Sequence, residues 1–364
     1  GIYSTGVDAK VDMKGGALYA NIVESAMGGG IYVNNGSFFS FSDGSIYSNQ
    51  ATTGGGIYAS KQTTNVEISG GFIFSNTSTA TGSSLGGGIR NNESTMELTG
   101  GKIGCDTSGS KAGNRSPNGE IPGYSSEIFN NGYLKITDGT IYLNQAASYP
   151  FVNKGTLHFL NGYVEGTGLA GILNRDQMLL EGGNIDNDGD YGIYAQSGML
   201  HIRNGEAKGR TYDLYGAGGN IYIEKSPKIS TIYLRKGIHI EVPDVLSGDI
   251  IRMIRPEDYT IGRLLVKVTY PNGNAKAVRS QFELSPYQNY YMYDEGTGLY
   301  VGEKAYQVDF HPNGGSGTMD SAIIQSGNET KLPKNKFAKK GYQFVGWSRK
   351  AVNPGSKKEA EWKD

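Results

Sequence analysis

The chain has 364 residues, 34 Lys+Arg against 35 Asp+Glu, and a formal net charge of -1. That balance excludes the dense basic surface needed for non-specific nucleic-acid or polybasic membrane binding. A single cysteine excludes a disulfide framework or a Cys-rich metal site, and no apolar run reaches the roughly 18 residues of a membrane-spanning segment. Gly is frequent, at 56 residues, but lacks the every-third-position repeat of collagen, while 25 Tyr and 37% hydrophobic residues suffice for a core. The opening Gly1-Ile2-Tyr3 shows no signal peptide and reads as the middle of a repeat, so the sequence is expected to be a fragment of a longer chain.

Two motifs alternate along the chain. The first is Gly-Gly-Ile-Tyr or a relative, at Gly29–Tyr32, Gly55–Tyr58 and Gly87–Arg90, with weaker copies anchored at Ile128, Phe151, Ile172, Ile193 and Leu214. The second is apolar-x-apolar-x-[Gly/Asp/Asn]-Gly-x-apolar, in seven copies from Phe39–Ile46 to Leu200–Ala207. Alternation over three to five residues is the period of a half-buried strand, and long helical patterns are absent. The Gly before the last anchor, with Gly, Asp or Asn preceding it, predicts a tight bend between two short strands, with Asp43 and Asp138 read as positive-φ bend residues.

The later anchors Phe151, Ile172, Ile193 and Leu214 recur every 21 residues. A period of that length holding short strands and Gly bends is one coil of a solenoid. The expected fold is therefore all-β: a right-handed parallel β-helix over 1–231, irregular final coils and a cap over 232–304, and a separate module over 305–364. Asn91, Asn130, Asn153 and Asn174 each lie two residues after an anchor, which predicts a stacked Asn ladder satisfying turn backbone groups. Cys105, two residues after Ile103, is expected to be a small buried apolar group.

After Lys304 the repeat stops, and the segment Val308-Asp309-Phe310-His311-Pro312-Asn313-Gly314-Gly315-Ser316-Gly317-Thr318-Met319 begins a new pattern. It continues through Leu332-Pro333-Lys334-Asn335-Lys336-Phe337 and Gly341-Tyr342-Gln343-Phe344-Val345-Gly346-Trp347. This stretch resembles the Listeria–Bacteroides repeat, or internalin B-repeat, a small β-grasp-like module of bacterial surface proteins. With the sequence ending at Trp362-Lys363-Asp364, the family's final strand is missing and a truncated, partial module is expected. The Gly-Gly-Ile-Tyr repeats also look like the pectin-lyase-like β-helices that precede such modules in surface proteins of gut bacteria. The resemblance implies export, envelope attachment and a stalk-and-head arrangement, and it implies no reaction.

Many parallel β-helices cleave acidic polysaccharides, so paired carboxylates matter. Asp43 and Asp138 occupy equivalent turn positions three coils apart, about 14 Å at the strand spacing, beyond the separation glycosidases use. Glu67 and Glu97 are outward residues on adjacent coils, and Lys135 follows in the same column. That row can serve acid–base chemistry or hold a hard cation, or it is a solvated face in which Lys135 offsets like-charge repulsion.

His158 and His201 share the column two coils apart, about 9.6 Å, too far for one zinc ion. His239 and His311 have no partner visible in sequence. Asp186-Asn187-Asp188-Gly189-Asp190 has the look of a calcium loop but lacks the downstream Glu. No metal and no cofactor is expected.

Coil lengths point to a partner surface. The first-to-second anchor distance stays near 15 (Ile31 to Ile46), 16 (Ile57 to Ile73) and 14 (Ile89 to Ile103). The onward distance runs 11 (Ile46 to Ile57), 16 (Ile73 to Ile89), 25 (Ile103 to Ile128) and then 8 (Val164 to Ile172). Extra sequence thus enters at one corner, in Ser75–Leu85 and Gly104–Glu127, the latter carrying Lys111, Arg115, Glu120 and Tyr124. Outward aromatics Tyr32, Tyr58, Phe129, Tyr194 and Tyr215 form a second candidate surface. The combined expectation is a non-enzymatic, extracellular, envelope-attached bacterial adhesin or display stalk binding a host or microbial glycan or surface protein. The alternative is a carbohydrate-active lyase or hydrolase using Glu67, Glu97 and Lys135.

Overall fold

The structure, a computed structural model, describes residues 1–80, 86–116, 127–143, 149–285, 289–325 and 331–348. Among these the regular structure is strand apart from one four-residue helix, Ala275–Val278, and one short 3-10 turn, Arg279–Gln281. Twelve strands make one all-parallel ladder in chain order, beginning Ile2–Thr5, Ile31–Asn34, Ile57–Ser60 and Ile89–Asn92 and ending Thr231–Leu234, Arg252–Pro256 and Phe282–Leu284. The registers align the predicted anchors: Ile31 with Ile57, Ile57 with Ile89, Ile89 with Ile128, Ile128 with Phe151, and Ile172 with Ile193.

The second motif builds two further parallel ladders side by side. One aligns Phe39, Val66, Met96, Leu134, Leu157, Met178 and Leu200. The other aligns Ile46, Ile73, Ile103, Ile141, Val164, Ile185 and Ala207. Long strands such as Phe38–Tyr47, Thr95–Ile103 and Tyr133–Leu143 run through both ladders across the bend. The circuit of pairings that results comes from this sharing of long strands between adjacent ladders.

All seven bend glycines take positive φ, from +75° at Gly183 to +111° at Gly162. At Gly183 a Cβ would also lie 2.4 Å from the Phe159 ring and 2.8 Å from the Gly162 carbonyl, so both backbone conformation and space demand glycine. The expectation for the preceding acids is corrected. Asp43 and Asp138 are absent from the positive-φ residues; their carboxylates accept the Gly44 and Gly139 amides at 2.7 Å. An eighth copy, Val11-x-Met13-x-Gly15-Gly16-x-Leu18, pairs in register with Phe39, Phe41 and Ile46. It fits the motif but escaped the repeat reading, which began at Phe39.

Inward residues of the three ladders form one continuous core from Met13 to Val301, with Ile31, Phe39, Ile57, Phe159 and Ile232 among those fully buried. Each such side chain contributes about 1.5–3 kcal/mol by burial. The predicted Asn ladder is present: Asn91 donates to Asn130 at 2.7 Å, Asn130 to Asn153 at 2.8 Å and Asn153 to Asn174 at 2.7 Å. Each amide also binds the carbonyl of the first residue of a strand in the following repeat, as Asn153 does at Gln177 O, 2.8 Å. Cys105 is buried and unpaired, and burial pushes its thiol upward.

Beyond Thr231 the ladders continue through Ile240–Val242 and Leu264–Val268. The parallel order then ends, because Gly298–Glu303 pairs antiparallel with both Leu264–Val268 and Tyr290–Glu295. In the C-terminal segment Ala305–Val308 pairs antiparallel with Ala322–Gln325. Trp347, 8% exposed, is packed by Phe310 at 4.6 Å, Phe344 at 4.8 Å and Phe337 at 6.2 Å between ring centroids. Phe310, Phe337, Phe344 and Trp347 of the C-terminal motif thus pack together, whereas Tyr342 is exposed.

Candidate functional site

Outward positions of the second ladder form one column whose registers align Asp12, Ser40, Glu67, Glu97, Lys135 and His158. Parallel pairing without slippage places equivalent side chains about 4.8 Å apart, so Glu67 and Glu97 are neighbours and Lys135 adjoins Glu97. The Lys135 ammonium sits 2.7 Å from Glu97 Oε1, with both side chains about one-third exposed. That hydrogen bond holds the lysine above its usual range and commits it to Glu97 as a cation. Ser40 donates to Asp12 at 2.7 Å, which lowers the Asp12 carboxyl. Two local pairs, Asp12–Ser40 and Glu97–Lys135, thus lie in this row on a sheet face.

His158 and His201 are separated in the column by Leu179. His158 Nδ1 lies 3.3 Å from the Tyr133 hydroxyl. His201 joins a cluster that sequence reasoning missed. Arg203 bridges Glu181 at 2.6 Å and the buried Glu224 at 2.5 Å, and His201 Nε2 approaches Glu224 at 3.3 Å. Burial is the main cause that pushes the His201 imidazole down, against the attraction of Glu224. His239, expected to lack a partner, stands 3.8 Å from Glu241, two residues along the chain.

Among the described residues no group of three His, Cys, Asp or Glu is placed to hold a metal. In the acidic stretch 186–190, Asp186 faces Lys208 at 3.6 Å and Asp190 faces Arg210 at 2.9 Å. Asn187 is buried and clamps the turn, bonding Gly168 N at 2.9 Å and Tyr191 O at 2.7 Å.

At the insertion corner the described residues are 75–80, 104–116 and 127. Asn21, Asn49, Asn76 and Asn114 stack in a second, unpredicted ladder, with side-chain bonds of 2.7, 3.0 and 2.9 Å. It ends on Glu127, whose Oε2 accepts Asn114 Nδ2 at 2.6 Å and Asn114 N at 3.3 Å. Glu127 is fully buried, and among the described residues its other oxygen has no partner; burial pushes the carboxyl up to about 8. A signal existed in the repeated Ile-[Tyr/Phe]-Ser-Asn of Ile46–Asn49 and Ile73–Asn76.

Lys111 bridges to Cys105 and Arg115 to Thr77 through their backbones, and both side chains are exposed. Glu120 and Tyr124 lie outside the described residues.

The expected row of exposed rings is corrected at two positions. Tyr58 is 6% exposed and Phe129 fully buried. Arg90 lies over the Phe129 ring at 4.1 Å, and Phe129 belongs to an outer apolar cluster with Tyr149, Val152 and Leu173. Tyr32 is half-buried, edge-on to Tyr3 and Tyr58 at 5.1 Å. Further along the same column Tyr194, Tyr215 and Tyr233 stay half-exposed, in register with one another.

Compared with known proteins, no curated protein and no solved structure matches this chain. Residues 306–362 match the family model of the Listeria-Bacteroides repeat domain.

Proposed function

We propose that the chain is a right-handed parallel β-helix, with coils over 1–231, irregular final coils and a cap over 232–304, and a Listeria–Bacteroides module over 305–364. In this reading it is an exported, envelope-attached bacterial surface protein that displays or adheres and carries out no reaction. The observation that carries it is the match of 306–362 to a repeat domain typical of surface proteins, directly following a long in-register stack. A stack of this kind supports a rigid stalk with a broad side wall, because each repeat contacts its neighbours alone.

The second reading, a carbohydrate-active enzyme, rests on the Glu67–Glu97–Lys135 adjacency. The 2.7 Å Lys135–Glu97 pair favours charge compensation, since a lysine held as a cation is no general base. The test is protease shaving of intact cells of the encoding bacterium, with an antibody against residues 1–304, together with a polysaccharide turnover assay. The reading requires loss of the epitope and no turnover. Protection of the epitope, or turnover abolished by Glu67→Gln with Glu97→Gln, would overturn it.

A further inference from the structure

We propose that the tyrosine-lined outer face of the first ladder, between Arg175 and Arg255, binds an anionic oligosaccharide lying along the stack. This deepens the reading of the chain as a non-enzymatic binding protein and rests on it. Leu173, Tyr194, Tyr215, Tyr233 and Arg255 follow one another in register, so the face runs about 19 Å at the strand spacing, the length of a short oligosaccharide. Tyr215 is its centre, with ring centroids 4.5 Å from Tyr191, 5.0 Å from Tyr194 and 4.8 Å from Tyr233. Tyr149, 6.0 Å from Tyr194, closes one end as part of the outer apolar cluster.

The same column is covered earlier in the chain, at Tyr58, Arg90 and Phe129, and opens where the inter-coil connections are shortest. Burial raises the phenols of Tyr191, Tyr215 and Tyr233, and pushes Tyr149 up to about 12. The hydroxyls therefore remain neutral donors beside apolar ring surface, the combination that packs on sugar C–H faces and bonds sugar hydroxyls.

Charge selects the ligand. The acids around the face are already committed: Asp190 to Arg210 at 2.9 Å, Glu257 to Arg235 at 3.7 Å, and Asp213 to the Ser230 and Thr231 amides at 2.7 and 3.1 Å. Arg175 bonds the neutral Gln196 at 2.6 Å and Arg255 the Tyr212 hydroxyl at 3.2 Å. Among the described residues neither guanidinium has a carboxylate partner. Two uncompensated cations bracketing a phenolic floor match carboxylate or sulfate groups on a glycan.

The test is calorimetric titration of the full chain with a panel of uronate, sulfated and sialylated tetrasaccharides and their neutral parents. An anionic member should bind, its neutral parent about ten-fold more weakly, with Tyr215→Ala and Arg255→Gln each costing about ten-fold. Arg255 is exposed, so its variant folds regardless of the outcome at Tyr215. No binding across the panel, equal binding of neutral parents, or binding unchanged in Arg255→Gln would each overturn the site. Cleavage of a bound tetrasaccharide, lost in both variants, would instead uphold the site and overturn the non-enzymatic reading.

Discussion

Glu127 makes stability depend on pH in a direction opposite to that of most carboxylates. Its folded-state value of about 8 lies above the ordinary 4.5 because burial disfavours the charged form, and the bonds from Asn114 only partly offset this. The folded chain therefore holds a proton that the unfolded chain releases. The contribution is complete below 4.5, falls by about 1.4 kcal/mol per pH unit as pH rises, and is lost once pH passes about 8. The full span is about 5 kcal/mol, a large share of the stability of any one cooperative unit.

Glu127→Gln keeps a carbonyl oxygen for Asn114, within 2.6 Å of its amide in the native site, and cannot ionise. Urea unfolding of both proteins at each pH from 5 to 9 isolates this residue, because other titrating groups are common to both. The variant should match the wild type near pH 5 and exceed it by several kcal/mol at pH 9. Equal pH slopes, or a variant less stable than the wild type at pH 9, would refute the assignment of a buried, protonated ladder end.

Other consequences of the stacking are equally open to measurement. Asn153→Ala removes bonds to Asn174 and Gln177 and takes from Asn130 its ladder acceptor, leaving that amide the Thr156 and Gly132 carbonyls, so denaturant unfolding should show a loss of about 2–4 kcal/mol. Gly183→Ala, with φ +75° and the Phe159 ring 2.4 Å from the new Cβ, should lose about 2–4 kcal/mol in the same assay, whereas Gly237→Ala, φ +81° with open space around it, should lose only about 1 kcal/mol. Lys135→Ala breaks the partly exposed pair with Glu97 and should change stability by less than about 1 kcal/mol, less still at high salt.

The repeat was legible because its chemistry is periodic. Gly44, Gly71 and Gly101 recur where only a positive φ permits the bend, and Ile31, Ile57 and Ile89 recur where the core is. The first Asn ladder was legible for the same reason, each Asn lying at a fixed offset from an anchor. The ladder ending in Glu127 was obscured because its last step replaces Asn with Glu, at the end of the longest insertion. Outward positions were the least legible. Alternation tells that Phe129 and Tyr215 point away from the core, but what covers Phe129 and leaves Tyr215 open depends on connections far along the chain. The Glu181–Arg203–Glu224–His201 cluster was missed because its members come from three successive repeats.

Both the charged column and the tyrosine face depend on strand-by-strand register, and a pair of engineered cysteines tests that register directly. Glu67 and Glu97 are paired residues on adjacent strands, and Lys135 lies one strand further on. Adjacent positions fall within the Cα separation of about 4.4–6.8 Å that a disulfide spans, while positions two strands apart, at about 9.6 Å, do not. Oxidation of Glu67→Cys/Glu97→Cys should give a disulfide within the monomer, and Glu67→Cys/Lys135→Cys should give none. A disulfide in the second variant and not the first would contradict the stacked register.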